Sequence, residues 1–465
     1  MTGALVAALA ALALGAPPTV PPPAPAAPAE AEPKPWTLEA LQAAAERADP
    51  RVLSAAAEVA RLRGLEAQAQ AAQLPSLEWT LSGGPIPELR NDPSRIDDVK
   101  PVSRLRNGEL GTWGVYAHLG ANLTWPIYTF GKLGAYEAAA AGGVAATSGT
   151  ARAARARAAR DASEIYWGYQ LARRGLGALD EADRQLAGAR DRVERLVGEG
   201  STQVSKRDLA QLDLVRAELG ARRAEASAAR DLALEAGRIV AGAASDAPFA
   251  FTAGALDAPG LALSPLSRYV DAALAHRPEV AAAQDGLRAR EVLALVRRRA
   301  FYPDLVAVGF ADLNWASSAT PQTNPFAWDP YNRLWAGIGL ALRGTLDIGR
   351  ARAEAVQAEA EVDKSRAEAE LAAKIVRLEV ARAHTTLRAA LERTARMRDE
   401  EAAARRWLAQ AELSFDAGLT DAQAVLLAAL ATARAGAERL AAGRDAQLAL
   451  ADLELAVGED PRTVK

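Results

Sequence analysis

Residues 113–131 read WGVYAHLGANLTWPIYTFG and hold two incompatible periods side by side. Trp113, Val115, Ala117, Leu119, Ala121, Leu123 and Trp125 alternate with Gly114, Tyr116, His118, Gly120, Asn122 and Thr124. The first set is apolar and the second mostly small or polar. A period of two describes a strand with one face in an apolar medium and the other in water. Pro126 and Gly131 follow, and from Lys132 to Val197 the chain is rich in Ala, Arg and Glu and has no proline. Apolar residues there, among them Ile165, Tyr169, Ala172, Leu176, Leu186, Val193 and Leu196, fall at spacings of three and four, close to a heptad. As one helix this segment spans about 100 Å, a length that only lateral packing stabilises.

Working outward, the same junction returns at Leu334–Gly349. There Leu334, Ala336, Ile338, Leu340 and Leu342 alternate with Trp335, Gly337, Gly339, Ala341 and Arg343. The punctuation around it repeats in order. Asp49-Pro50 and Leu74-Pro75 return as Arg277-Pro278 and Tyr302-Pro303 at an offset of 228, and Gly131 and Gly200 return as Gly349 and Gly418 at an offset of 218. Such ordered recurrence marks an internal duplication. Within each copy Pro50 or Pro278 opens a short helix, as proline prefers. In the first copy Thr37 is the expected N-cap of the helix before it. Gly198-Glu199-Gly200-Ser201-Thr202 ends the long helix, with Ser201 or Thr202 expected to cap a returning helix from Lys206 to about Ala241.

The expected organisation is a signal peptide over 1–16, a Pro/Ala-rich linker over 17–35 and a first repeat over 36–245. That repeat carries strands at about 76–83 and 113–125 and a helical hairpin at about 132–241. A linker over 246–264 leads to a second repeat over 265–458, with strands at about 304–315 and 334–345 and a hairpin at about 350–457. The apolar run Ala4–Leu14 has the length of a signal-peptide core, although no positive residues precede it.

Half of the 465 residues are hydrophobic, but nearly half of that share is alanine and aromatics are only 5%, which suits close-packed long helices better than a globular core. A net charge of −3 gives no bulk attraction to nucleic acid, and no nucleic-acid partner is expected. The absence of cysteine removes disulfides and thiolate chemistry. His118, His276 and His384 are widely separated, and no phosphate loop, GxSxG or HExxH is present. No catalytic residue, metal ligand or cofactor is therefore expected, and the chain reads as no enzyme.

Outside the N-terminus no apolar run is long enough for a membrane helix, so a crossing requires a β-barrel. Four strands cannot close one, whereas three chains supply twelve. Six of the nine Trp (Trp79, Trp113, Trp125, Trp315, Trp328, Trp335) lie in strand or loop regions, as in an aromatic girdle. The expected fold is mostly α with membrane β, a tandem-duplicated strand-strand-long helical hairpin, of which three copies supply twelve strands and enough long helices to wall a hollow cylinder. The apolar set of residues 113–125 is expected to face lipid and Tyr116, His118, Asn122 and Thr124 the pore. The alternative is a non-channel periplasmic coiled-coil structural protein, which would not need the alternating strands.

The chain resembles the TolC-like outer-membrane efflux proteins, the outer membrane factor family, over about residues 37–458. The residues that carry the resemblance are Trp125-Pro126-Ile127-Tyr128 before Gly131-Lys132, its partner Leu346-Asp347-Ile348-Gly349-Arg350, and the turns Val197–Thr202 and Phe415–Thr420. The resemblance implies a homotrimer, a trimeric 12-stranded β-barrel plus a periplasmic α-helical tunnel, acting as the exit duct of a tripartite efflux or type I secretion system. It also implies two partners, a periplasmic adaptor (membrane fusion) protein and an inner-membrane pump of RND or ABC type. Pro126, Gly131 and Gly349 would be the strand-to-helix junctions, and Gly198, Gly200, Ser201, Thr202, Gly418 and Thr420 the adaptor-contacting tips. Lys206, Arg207, Asp208, Phe415 and Asp421 would lie at the tunnel entrance. Family members often carry Asp six residues after the tip glycine. Here those positions are Lys206 and Ala424, so an acidic ring is not implied, and Lys206 and Arg207 would make the entrance basic.

Overall fold

The computed structural model describes residues 35–90, 102–103, 112–201, 204–321 and 329–464. The expected signal peptide, the linker as far as residue 34, Thr202 and Trp328 lie outside the described residues.

The chain runs α1 (Leu38–Ala48), α2 (Pro50–Ala71), β1 (Ser76–Pro87), β2 (Leu89–Arg90), β3 (Val102–Ser103), β4 (Trp113–Tyr128), α3 (Lys132–Gly198) and α4 (Lys206–Ala241). It continues through α5 (Leu266–His276), α6 (Pro278–Arg298), β5 (Asp304–Ala316), β6 (Arg333–Arg343), α7 (Ile348–Asp416) and α8 (Ala422–Val457). The second copy repeats the order of the first. The two long helices have 67 and 69 residues, and both returning helices have 36.

The four long strands form one antiparallel sheet in the order β1-β4-β5-β6. The helices follow the same lateral order. Near the sheet, α2 packs on α3, α3 on α6 and α6 on α7. Farther away α4 packs on α3, α3 on α8 and α8 on α7. A single-layer β wall thus continues into a single-layer α wall, with each strand handing over to the helix that precedes or follows it in sequence.

The short helices bolt this wall together. α1 packs against α2, α3 and α4, and its counterpart α5 against α6, α7 and α8. Leu41 of α1 and Tyr269 of α5, 228 residues apart, are both fully buried. Around Leu41 gather Val52, Ala162, Tyr166, Tyr169 and Phe251, and around Tyr269 gather Val376, Val380, Leu387, Leu453 and Val457. Burying a side chain of this size contributes roughly 1.5–3 kcal/mol, so these small cores are the anchors of a largely alanine-built structure. The segment after α4 is sewn onto α3. Gln170, fully buried, donates to the Thr252 carbonyl at 2.7 Å and accepts from the Gly254 amide at 3.0 Å.

Several boundaries differ from the sequence expectation. β1 runs to Pro87 and β4 to Tyr128, past Pro126, so Pro126 does not end the strand. The pairing of β4 with β5 shifts between Pro126 and Tyr128, which leaves Ile127 as an extra residue. A bulge accommodates a proline that has no N–H to give the ladder. α4 is capped by Ser205 rather than by Ser201 or Thr202. The Ser205 amide and hydroxyl both donate to the Asp208 carboxylate, at 2.7 and 2.8 Å. Thr37, by contrast, caps α1 through its side chain as expected.

Candidate channel wall and hairpin tips

Register decides which side chains share a face. Leu77, Leu123, Gly309 and Ile338 stand in one cross-strand row; Leu81, Leu119, Leu313 and Leu334 stand in another. Trp79, Val115, Trp125, Trp315, Leu340 and Leu342 lie on the same face. All of these residues except Gly309 are substantially exposed, Ile338 at 93%. Among the described residues no other layer covers them. A continuous, uncovered apolar sheet face is stable only in an apolar medium. The bulge at Ile127 brings Tyr128 opposite Leu305, onto the face that carries Trp125. The apolar alternation expected for residues 113–125 is therefore extended by an aromatic residue at the helical end.

The opposite face is polar. Tyr116, His118, Asn122 and Thr124 all lie on it, together with Ser76, Glu78, Thr80, Asp312 and Asn314. Tyr116 donates to Asn314 Oδ1 at 2.5 Å, and Asn314 Nδ2 donates to Asp312. Arg333 Nη2 reaches Asp312 at 2.9 Å and His118 Nε2 lies 3.3 Å from its other oxygen. Asn314 is almost fully buried by these contacts. Asp312, Asn314 and Arg333 were not singled out in the sequence, because the faces of β5 alternate poorly when read alone. Only pairing with β4 assigns them. Trp335 belongs to this polar face too: it sits beneath Arg333 at 5.5 Å, with Phe310 edge-on at 4.9 Å. It is therefore not part of an outward aromatic girdle.

At the strand-to-helix junction Gly131 adopts φ +76° as the N-cap of α3, with Phe130 beside it at φ +53°. Lys132 ties this turn to the second copy through Asp304 at 2.8 Å and the Tyr302 carbonyl at 2.9 Å. Gly349 is not its conformational equivalent. It has no positive φ and lies inside α7, whose cap is Asp347, accepting from the Arg350 amide at 3.0 Å. The left-handed turn in one copy is replaced by a side-chain cap in the other.

The tips are built alike. Ser201 N–H donates to the Leu196 carbonyl and Leu419 N–H to that of Ser414, at 3.0 and 2.9 Å, around Gly200 and Gly418 at φ +79° and +72°. This six-to-one bond around a left-handed glycine closes the last helical turn. Val193, Val204, Leu212 and Phe415 bury one another and join the two hairpins, and Arg192 pairs with Asp416 across them. Phe415 thus faces the packing between hairpins, not an opening. Asp208 accepts from the Ser205 amide in the first turn of α4, and Asp421 caps α8, accepting from the Ala424 amide at 3.0 Å. Gly198, Gly200, Gly418, Lys206 and Arg207 are exposed and Thr420 is half-buried. With Glu199, Asp416 and Asp421 exposed alongside, the charge at the tip is mixed rather than basic.

Residues 269–459 match the family described as outer membrane efflux protein. The matched residues run from α5 to the end of α8. The efflux-protein fold extends over the whole described chain, as solved structures show. The chain superimposes on CusC, a protein described as forming a transmembrane channel, with a TM-score of 0.72 at 18% identity over 91% of this chain and 92% of that one. The outer membrane protein VceC from Vibrio cholerae gives 0.70 at 20% identity over 91% and 96%. The MtrE outer membrane channel of Neisseria gonorrhoeae gives 0.71 at 17% over 91% and 89%. No curated protein matches by sequence. Efflux-protein architecture accounts for the one-sided sheet: the chain has the fold of an outer-membrane channel, and none of its described helices is long and apolar enough to cross a membrane.

Proposed function

We propose that three copies of this chain form the outer-membrane exit duct of a tripartite efflux or type I secretion system. The observation that carries the reading is the sheet: apolar and uncovered on one face, polar and internally hydrogen-bonded on the other, with β1 and β6 at its two edges. Lipid does not tolerate an unpaired edge, and three four-stranded sheets joined edge to edge leave none. The helical wall supports the same closure. Its outermost helices carry uncovered apolar side chains, Leu214, Leu232 and Ile239 on α4 and Val356, Leu371 and Leu378 on α7. The α7 edge of one copy would cover the α2/α4 edge of the next.

On this reading the hairpin tips around Gly200 and Gly418 meet a periplasmic adaptor, and an inner-membrane pump of RND or ABC type drives cargo into the duct. Membrane fractionation and mass measurement in detergent test the proposal. The expected species is an outer-membrane particle of three chains, each of 48.8 kDa less its signal peptide. A monomeric or non-membrane protein would exclude it.

A further inference from the structure

The two edges of the sheet carry opposite charges on the same face. Glu78 is the one charged residue of β1, and Arg333 and Arg343 are the two of β6. Glu78 shares a row with Asn122, Phe310 and Gly337, and Arg343 lies six residues beyond Gly337, so both belong to the polar face. Arg333 is held by Asp312 at 2.9 Å. Arg343 stands across from Asp304, but Lys132 takes that carboxylate at 2.8 Å. Glu78 and Arg343 are both exposed and, among the described residues, neither has a charged partner.

Barrel geometry brings these two edges together. Viewed from the apolar side with the helices below, β4 descends, and its outward-facing Val115 accepts from the Ser317 amide just beyond the end of β5. An L-residue on a descending strand turns its own C=O to the left when its side chain faces the viewer, so the sheet order β1-β4-β5-β6 runs from right to left. Strands of a closed barrel tilt to the right, and the rows perpendicular to them climb to the left. Twelve strands about 4.8 Å apart and tilted by about 35–45° climb roughly 12–18 residues per circuit, and so about four or six per chain, since only an even step keeps the faces. The smaller step carries the Gly337 row into the next copy at Ser82 and the larger at Gly84, so that Arg343 lies opposite Ser76 or Glu78 of that copy. Directly opposite and diagonal positions are both within reach of so long a side chain. The seam-side amides of β1 belong to its outward residues and are missing at Pro85 and Pro87. The ladder to the next copy is therefore fullest in the half of β1 where Glu78 stands.

We infer that Arg343 of each copy pairs with Glu78 of the next across the seam between β6 and β1, and that this pair sets the register in which the barrel closes. The inference rests on the duct reading, which supplies the neighbouring copy. The alternation of faces alone admits any even slip of one edge along the other. Each two residues away from these registers carry the charges about 7 Å farther apart.

The test is the temperature at which the purified particle dissociates on gels, with its mass measured in detergent before heating. Arg343→Gln should lower that temperature by a few degrees. Glu78→Lys sets two cations across every seam and should lower it further. Arg343→Gln added to Glu78→Lys should raise it, reversing the effect of the same substitution in the native protein. If Glu78→Lys alone does not assemble, recovery of the particle in the double variant is the supporting result and its absence the contrary one. A fall or no change on adding Arg343→Gln to Glu78→Lys would overturn the pair, while a native particle of three chains leaves the duct standing. Absence of that native particle would overturn the duct and the pair with it.

Discussion

Neighbouring residues of β4 have opposite environments, and the clearest contrast is Leu119 against Gly120. Leu119 stands among Leu81, Leu313 and Leu334 on the apolar face, while Gly120 stands among Thr80, Asp312 and Trp335. Leu119→Arg should cost about 2–4 kcal/mol near the bilayer midplane and deplete the assembled protein from outer membranes. Gly120→Arg should assemble far better, since a Cβ there approaches only the movable His118 ring, at 3.2 Å. Equal depletion, read by heat-modifiable migration on gels, would show that the faces are misassigned. At the tips, Ser205→Ala should lower α4 stability by about 1 kcal/mol through loss of its cap, whereas Ser201→Ala should leave the cap intact. Thermal unfolding distinguishes the two. The cap was not legible because Ser201, Thr202 and Ser205 all suit the role. What selects Ser205 is that Asp208, three residues on, completes a reciprocal pair.

The helices meet along seams of small residues. Gly142 of α3 faces Ala289 of α6, and one heptad on, Gly149 faces Ala282 and the Pro278 carbonyl. A Cβ would fall 2.9 Å from the Ala289 methyl at the first and 2.7 Å from the carbonyl at the second. Gly149→Leu should therefore cost at least about 1–3 kcal/mol by overpacking. Gly188→Ala, with nothing within 4 Å, should instead gain up to about 1 kcal/mol in the same helix. A rise and a fall in melting temperature of the purified protein are the expected readings. At the head of α2, Asp49 accepts from the Arg51 amide at 2.7 Å, and the Arg51 guanidinium bound to it holds its carboxyl below the usual carboxylate range. A depressed carboxyl stabilises above its unfolded value and loses that contribution as pH falls through its folded value. Asp49→Asn should thus narrow the stability difference between neutral and strongly acidic pH, measured by melting at each.

Elements of this kind were largely legible. Helix boundaries are local chemistry, so Asp49-Pro50, Gly200 and Gly418 fall at the ends they announce, and Thr37 caps α1 as its type predicts. Sheet register is not local. Asp312 meets Arg333 only because β5 pairs with β6 in one register of many, and nothing within either strand states that partner. The bulge at Ile127 is hidden in the sequence for a related reason. Pro126 reads as an end until the partner strand shows that the ladder resumes at Tyr128.

For the whole molecule, the lateral order of strands fixes what kind of interface can close the barrel. The two edges are different strands, β1 and β6, so an edge-to-edge contact between copies is head-to-tail and propagates until a ring closes. A two-fold contact, β1 to β1 or β6 to β6, would stop at two chains and leave the other edges bare. The native chain has no cysteine, which makes the distinction direct. With Leu77→Cys on β1 held fixed, a second cysteine is moved along β6 through Leu334, Ile338, Leu340 and Leu342. These positions share the face of Leu77, so a β6 edge docked on the next chain's β1 would bring one of them within disulfide reach. At that position, oxidation in intact membranes should give a covalent species of three chains, with two-chain species as its precursor. The single variant Leu77→Cys should give none. A ladder that ends at two chains, or a covalent dimer from Leu77→Cys alone, would mean an isologous contact and no closed barrel, and the lumenal assignment of the polar face would fall with it.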